Sequence, residues 1–190
     1  MKRPHQVDWL AGDMRFDNAA FFASLPPRTY GPVRDPRGPL LTPGAPFGLG
    51  LIACSATKAP HLSPAAELYR GHTFKLALAL ATRLCQRVRI LSGFHGVLAL
   101  DTKVMPYERA LTDMPREAKL AWASRVGRAL EPWAQEPVLC LAPRSYWQHV
   151  RGSASWIRPL AGLGIGQQKA VLKRLLDDAS SLVASSGRSS

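Results

Sequence analysis

A chain of 190 residues with 46% hydrophobic residues can bury one substantial core and is too short for two domains of ordinary size. Its formal charge of +12 favours polyanions as partners, either nucleic acid or phosphorylated small molecules. No apolar stretch is long enough to span a bilayer and no secretory core follows the basic N-terminus, so a cytoplasmic protein with no membrane partner is expected.

The first segment, residues 1–46, is a Pro/Gly-rich N-terminal arm. Pro26-Pro27, Gly31-Pro32, Asp35-Pro36, Gly38-Pro39 and Pro43-Gly44 leave room only for a short helix over Asp17 to Leu25. Such an arm either runs over the domain surface or serves as the site of a protein partner. Residues 1–50 carry six basic and four acidic side chains against nineteen and nine in 51–190, so the positive excess belongs to the folded part.

Residues 47–184 read as one α/β domain. Gly48 to Cys54 is a short apolar run ending in a polar loop, as expected of a buried parallel strand. Ser63-Pro64 opens a helical turn through Leu68, and a longer helix follows from Thr73 to Arg87, its apolar residues spaced by three and four. Val88 to Ser92 is a second strand with Gly93-Phe94-His95-Gly96 as its exit loop. A helix from Pro115 to Leu130 turns Leu120, Ala121, Trp122 and Val126 inward. Pro137 to Leu141 is a third strand, Arg144 to Val150 is helical, and Trp156 to Leu160 is extended. Gly162, Gly164 and Gly166 lead into a last helix ending near Val183, and 185–190 form a disordered tail. Strands alternating with helices predict a mostly parallel sheet with helices on both faces, plus the irregular arm. Sites in such sheets collect beyond the carboxyl ends of the strands.

Cys54, Cys85 and Cys140 are far apart and lack paired spacing, so they read as small buried thiols rather than metal ligands or a disulfide, and no cofactor is implied. Cys54 stands apart because it ends a strand. In the loop after it, Ser55 and Lys58 offer hydrogen bonds and a point charge to an anion, although a solvated turn accounts for them equally well. The loop lacks the glycines and the Lys-Ser/Thr pair of a nucleotide-hydrolysing phosphate loop. His95, between Gly93 and Gly96 just after a strand, is placed for proton exchange near neutrality. Glu67 to Gly71 and Met105 to Glu108 each pair a tyrosine, Tyr69 or Tyr107, with a carboxylate. Core packing and surface ion pairing compete with a ligand role for both. The glycines before the last helix could hinge the chain or present N–H groups to an anion, and Gln167 or Gln168 could read a base edge.

Ile52 to Lys58, Ala66 to Gly71, Ile90 to Gly96, Pro106 to Glu108 and Pro159 to Gln168, in this order, resemble an uncharacterised family of small bacterial and phage domains related to the peroxide-stress YaaA-like proteins. The resemblance covers roughly 51–176. It implies an α/β fold and a nucleic-acid or nucleotide context with DNA foremost, and carries over Ser55, Lys58, Tyr69, Ser92, His95, Gly96, Tyr107, Glu108, Gly166 and Gln167. Glu108 stands where the family often has aspartate, and Phe94 where polar or basic residues are common, which favours stacking.

The resulting expectation is an enzyme acting on a nucleobase, nucleotide or nucleic acid, with N-glycosidic cleavage or base exchange as its most concrete form. Glu108 would stabilise charge at the sugar or activate the nucleophile, and His95 would serve the leaving base. Ser55 and Lys58 would hold phosphate. Tyr69, Phe94 and Tyr107 would stack on the base, and Ser92, Gly96, Gly166 and Gln167 would complete the binding surface. The alternative is a non-catalytic DNA-binding protein with a stress-protection role.

Overall fold

The computed structural model describes residues 41–42 and 45–186, with side chains placed as far as Ala179. The N-terminal arm therefore lies outside the described residues except for its last few, and the tail lies outside from 187 onward.

A four-stranded sheet forms the centre. Strand β1 (Phe47–Ala53) lies between two parallel neighbours, β3 (Cys85–Ser92) and β6 (Val138–Cys140). Strand β4 (Gly96–Leu98) pairs antiparallel with the outer edge of β3, which gives the order β4-β3-β1-β6. Every residue of β1 from Phe47 to Ile52 is buried, as its unbroken apolar run requires of a central parallel strand.

Helix α1 is a single turn, Ala65–Leu68, and α2 (His72–Leu84) carries the chain from β1 back to β3. Leu80 and Ala81 of α2 share a core with Val88, Ile90 and Leu139 of the sheet and with Leu172 and Leu175 of the last helix, α5 (Ile165–Ser186). A second core covers the opposite face, where Trp122, Ala123 and Val126 of α3 (Arg116–Ala129) meet Leu49, Leu51, Leu91 and Cys140. The sheet is thus mostly parallel with helices on both faces, as predicted.

Several boundaries differ from those read in the sequence. Helix α2 stops at Leu84, because Cys85 to Arg87 join β3 and pair with Phe47 to Leu49 of β1. Gly50 makes that possible: a Cβ there would lie 2.8 Å from Cys85 Sγ. Leu120 and Ala121 point to solvent rather than inward, since the buried stripe of α3 runs through Trp122, Ala123 and Val126. The helix after β6, α4, is only Arg144–Trp147, and the last helix continues beyond Val183 to Ser186. Of the extended piece Trp156 to Leu160, Ile157 forms a parallel bridge with Leu139.

Two small elements were not anticipated and matter most for the site. The exit loop of β3 is a tight hairpin turn into β4, with Ser92 opposite Gly96. Ser63–Pro64 (β2) pairs antiparallel with Lys103–Val104 (β5). That pairing, with hydrogen bonds from Ala65 N to Thr102 O and from Ala66 N to Leu100 O, anchors the chain just before Pro106-Tyr107.

Candidate functional site at the carboxyl ends of the strands

From β1 the chain crosses to β3 on one side, while β6 joins β1 on the other. The strand order reverses between β1 and β6, the position beyond whose carboxyl ends open α/β sheets commonly place a ligand. Cys54 leaves β1 at this point, and its Sγ lies 3.2 Å from the Tyr146 hydroxyl of α4.

The loop after β1 is braced against the segment around α1. Ala59 N donates to Leu68 O, Arg70 N donates to Thr57 O, and Lys58 and Tyr69 form an isolated antiparallel bridge. Ser55 completes the brace, donating its hydroxyl proton to Thr57 O at 2.7 Å and accepting from Gly71 N at 3.1 Å. With its proton committed there, Ser55 shapes the loop rather than offering a free donor to phosphate. Lys58 Nζ donates to Ala56 O at 3.1 Å and lies 4.6 Å from the centre of the Tyr107 ring, a cation held over an aromatic face.

Three hydroxyls form a chain beneath that ring. Tyr107 Oη is 2.7 Å from Ser92 Oγ and 2.9 Å from Tyr69 Oη. Ser92 is fully buried, and its Oγ also accepts from His95 N at 3.0 Å, so one side chain ties the hairpin turn to the Tyr107 loop. The Ser92 carbonyl accepts from Trp122 Nε1 at 2.9 Å, which fixes the end of β3 to α3. Tyr69, expected to stack on a ligand, is buried with its ring 5.4 Å from that of Phe74. It supports Tyr107 from below.

The outer part of the cluster is aromatic, with Phe94 and His95 exposed and Tyr107 half-buried. Phe94, His95 and Tyr107 form a triangle of rings with centroids 4.7, 5.3 and 5.1 Å apart, and the Arg109 guanidinium lies 5.8 Å from the Phe94 centroid. The two glycines of the turn have separate reasons. Gly96 adopts φ +81°, and a Cβ at Gly93 would sit 2.7 Å from the backbone nitrogen of Leu111.

Burial raises the pKa of Tyr69, Tyr107 and Tyr146 above the ordinary phenol value, and the Cys54 thiol adds to the rise in each. All three phenols stay neutral across the physiological range and act as hydrogen-bond donors and acceptors. Desolvation lowers His95, which is therefore mostly neutral at pH 7. The Cys85 and Cys140 thiols are deeply buried and pushed up, Cys140 to about 12, which leaves both inert.

The structure thus brings together Lys58, Tyr69, Ser92, Phe94, His95, Gly96 and Tyr107, with Ser55 as a brace. Glu108 follows Tyr107 but is exposed, outside the hydroxyl chain. Gly166 and Gln167 belong to the first turn of α5, where Gln167 Oε1 accepts from Gly164 N at 3.0 Å and caps the helix. Tyr146 and Trp122 were missed as site residues. Tyr146 carried a usable signal, since it follows a strand end just as Ser55 and His95 do.

Residues 49–174, about two-thirds of the chain, match DUF6884, a family of unknown function. The chain belongs to that family. The match runs from β1 into α5 and includes every residue of the cluster. No curated protein and no solved structure matches the chain. No helix among the described residues is long and apolar enough to cross a membrane, and no cluster of three or more potential metal-ligating side chains occurs among them.

Proposed function

We propose that this DUF6884 domain acts on a nucleobase carried by a nucleotide or nucleic acid, DNA foremost, in the cytoplasm, with N-glycosidic cleavage or base exchange as the reaction. The observation that carries the reading is the triangle of Phe94, His95 and Tyr107 above buried neutral hydroxyls, with Lys58 over the Tyr107 ring. A planar heterocycle can stack on the exposed Phe94 and His95 rings, which the buried hydroxyl chain holds in place through Tyr107, and a nearby ammonium suits its phosphate. The resemblance of the ordered motifs to a family related to YaaA-like proteins supports a nucleic-acid context, and three free thiols fit a reducing compartment.

In hydrolysis, the bond from the sugar anomeric carbon to the base nitrogen breaks. Water oxygen bonds to that carbon, water gives up a proton, and the departing nitrogen gains one. Glu108, next to Tyr107 and open to solvent, would stabilise the positive sugar or accept the water proton. His95 would serve the leaving base. Because desolvation lowers its pKa, its imidazolium is populated only on the acid side. Turnover limited by this proton should therefore rise as pH falls through a value below about 6.5.

The test is incubation of the protein with nucleotides and modified DNA, with released bases identified by mass spectrometry. Glu108→Gln should abolish release while sparing binding. A fully active Glu108→Gln protein would remove the carboxylate from the mechanism, and release of no base from any substrate would leave the second reading. That reading, a non-catalytic DNA-binding protein with a stress-protection role, is supported by the exposed arginines Arg109, just after Tyr107, and Arg116, Arg125 and Arg128 on α3.

A further inference from the structure

A groove of about 310 Å³ runs beside the cluster, lined by Phe94, Arg109, Met114, Ala121, Trp122 and Arg125. Its walls come from the hairpin turn, the segment after Tyr107 and the outer face of α3. Two of its residues also belong to the site. Phe94 faces His95 and Tyr107 while lining the groove, and Trp122 holds the Ser92 carbonyl. Its size matches the low end of small-molecule sites, roughly 300 Å³.

The groove couples an apolar floor to two guanidinium groups. No acidic side chain lines it, and neither Arg109 nor Arg125 has a carboxylate partner among the described residues. Arg125 Nε lies only 3.7 Å from where a Gly96 Cβ would be, so this charge sits against the hairpin turn that carries His95. Arg109 lies over Phe94, which is 43% exposed. Exposed aromatic surface between two uncompensated guanidinium groups is the combination that holds successive bases and their backbone phosphates.

We propose that this groove is a second base-and-phosphate subsite, and that the ligand is a single strand of nucleic acid crossing Phe94 rather than a free nucleotide. One nucleotide occupies the Phe94–His95–Tyr107 triangle, its neighbour lies along Met114, Ala118 and Ala121, and Arg109 and Arg125 take backbone phosphates. The inference rests on the nucleobase reading of the triangle and extends it to a polymer. Both arginines are exposed, so their replacement removes charge without disturbing either core.

The experiment measures fluorescence anisotropy of a labelled single-stranded DNA about eight nucleotides long, within the usual site size of about 4–16, with deoxynucleoside monophosphates as competitors. The wild-type protein should prefer the strand to the monophosphate. The double variant Arg109→Ala/Arg125→Ala should lose strand affinity on the order of 10-fold more than monophosphate affinity, and its log–log salt slope should shrink by about 1.4, the value for two phosphate contacts on a single strand. Lys173→Ala, on α5 across the sheet, should bind the strand as the wild type does. Equal affinity of the wild type for strand and monophosphate, an unchanged double variant, or an equal loss in Lys173→Ala would each overturn the groove while leaving the triangle standing. Binding of neither probe would overturn both.

Discussion

Two glycine-bearing segments with similar chemistry on paper have different fates in the fold. Ser92 to Gly96 and Gly162 to Gln168 each combine flexible backbone with polar side chains. The first turns at the carboxyl end of β3, beside the loop from β1, and Ser92 fastens it to Tyr107 and His95. The second precedes α5, and its glutamines bond their own turn: Gln167 to Gly164 N and Gln168 Nε2 to Leu163 O. A glycine loop becomes a site when neighbouring strand ends deliver other side chains to it. Alone it closes on itself.

The contrast breaks most visibly if the hairpin turn is not truly fastened. Trp122 joins that turn to α3 and is almost fully buried in the second core. Trp122→Ala should cost about 3–5 kcal/mol. Trp122→Phe keeps most of the apolar volume but leaves the Ser92 carbonyl without its donor, which should cost about 1–3 kcal/mol. Urea unfolding of the three proteins separates packing from tethering. Wild-type stability in Trp122→Phe would show that the indole N–H does not hold the turn.

Tyr107→Phe sharpens the same comparison with a smaller effect. The ring stays for stacking, while Ser92 and Tyr69 each lose a hydroxyl partner, at a cost of about 1 kcal/mol near neutrality. The pH dependence carries a sign. Tyr107 has a folded pKa above its unfolded value of about 10, so the unfolded state releases its proton first and stability falls as pH rises through about 10. Tyr107→Phe should flatten that alkaline loss in urea titrations between neutrality and pH 11. An equally steep decline in the variant would place the effect on the other phenols, Tyr69 and Tyr146, whose pKa values burial also raises.

What the sequence discloses follows from how locally each feature is encoded. β1, β3 and α2 are legible because strand runs and helical spacing repeat within a few residues. The pairing of Ser63 with Val104 joins two-residue strands some forty positions apart and has no local pattern, yet it anchors the Tyr107 segment. Ser92, His95 and Tyr107 are found from their positions after a strand and a proline. Their roles shift on folding: Ser92 and Tyr69 are buried supports, Tyr107 is half-buried, and the exposed rings are Phe94 and His95. Glu108 shows the limit of adjacency, because Tyr107 joins the cluster while the next side chain stays in solvent. The reach of Tyr146 to Cys54 depends on β6 lying beside β1, which periodicity does not encode.

The smallest effect belongs to Gln167. If the segment before α5 is only a helix start, Gln167→Ala removes the exposed bond to Gly164 N, and loss of a helix cap costs about 0.5–1 kcal/mol at such a site. Base release and nucleotide binding should be unchanged, because the residue sits on α5, which packs against α2 and not against the hairpin turn. Melting temperature and ligand affinity measured on the same preparation divide the two roles. A drop in affinity with no change in melting would move Gln167 into the site and erase the difference between the two glycine segments. A small drop in melting with full affinity would confirm that its amide serves the helix.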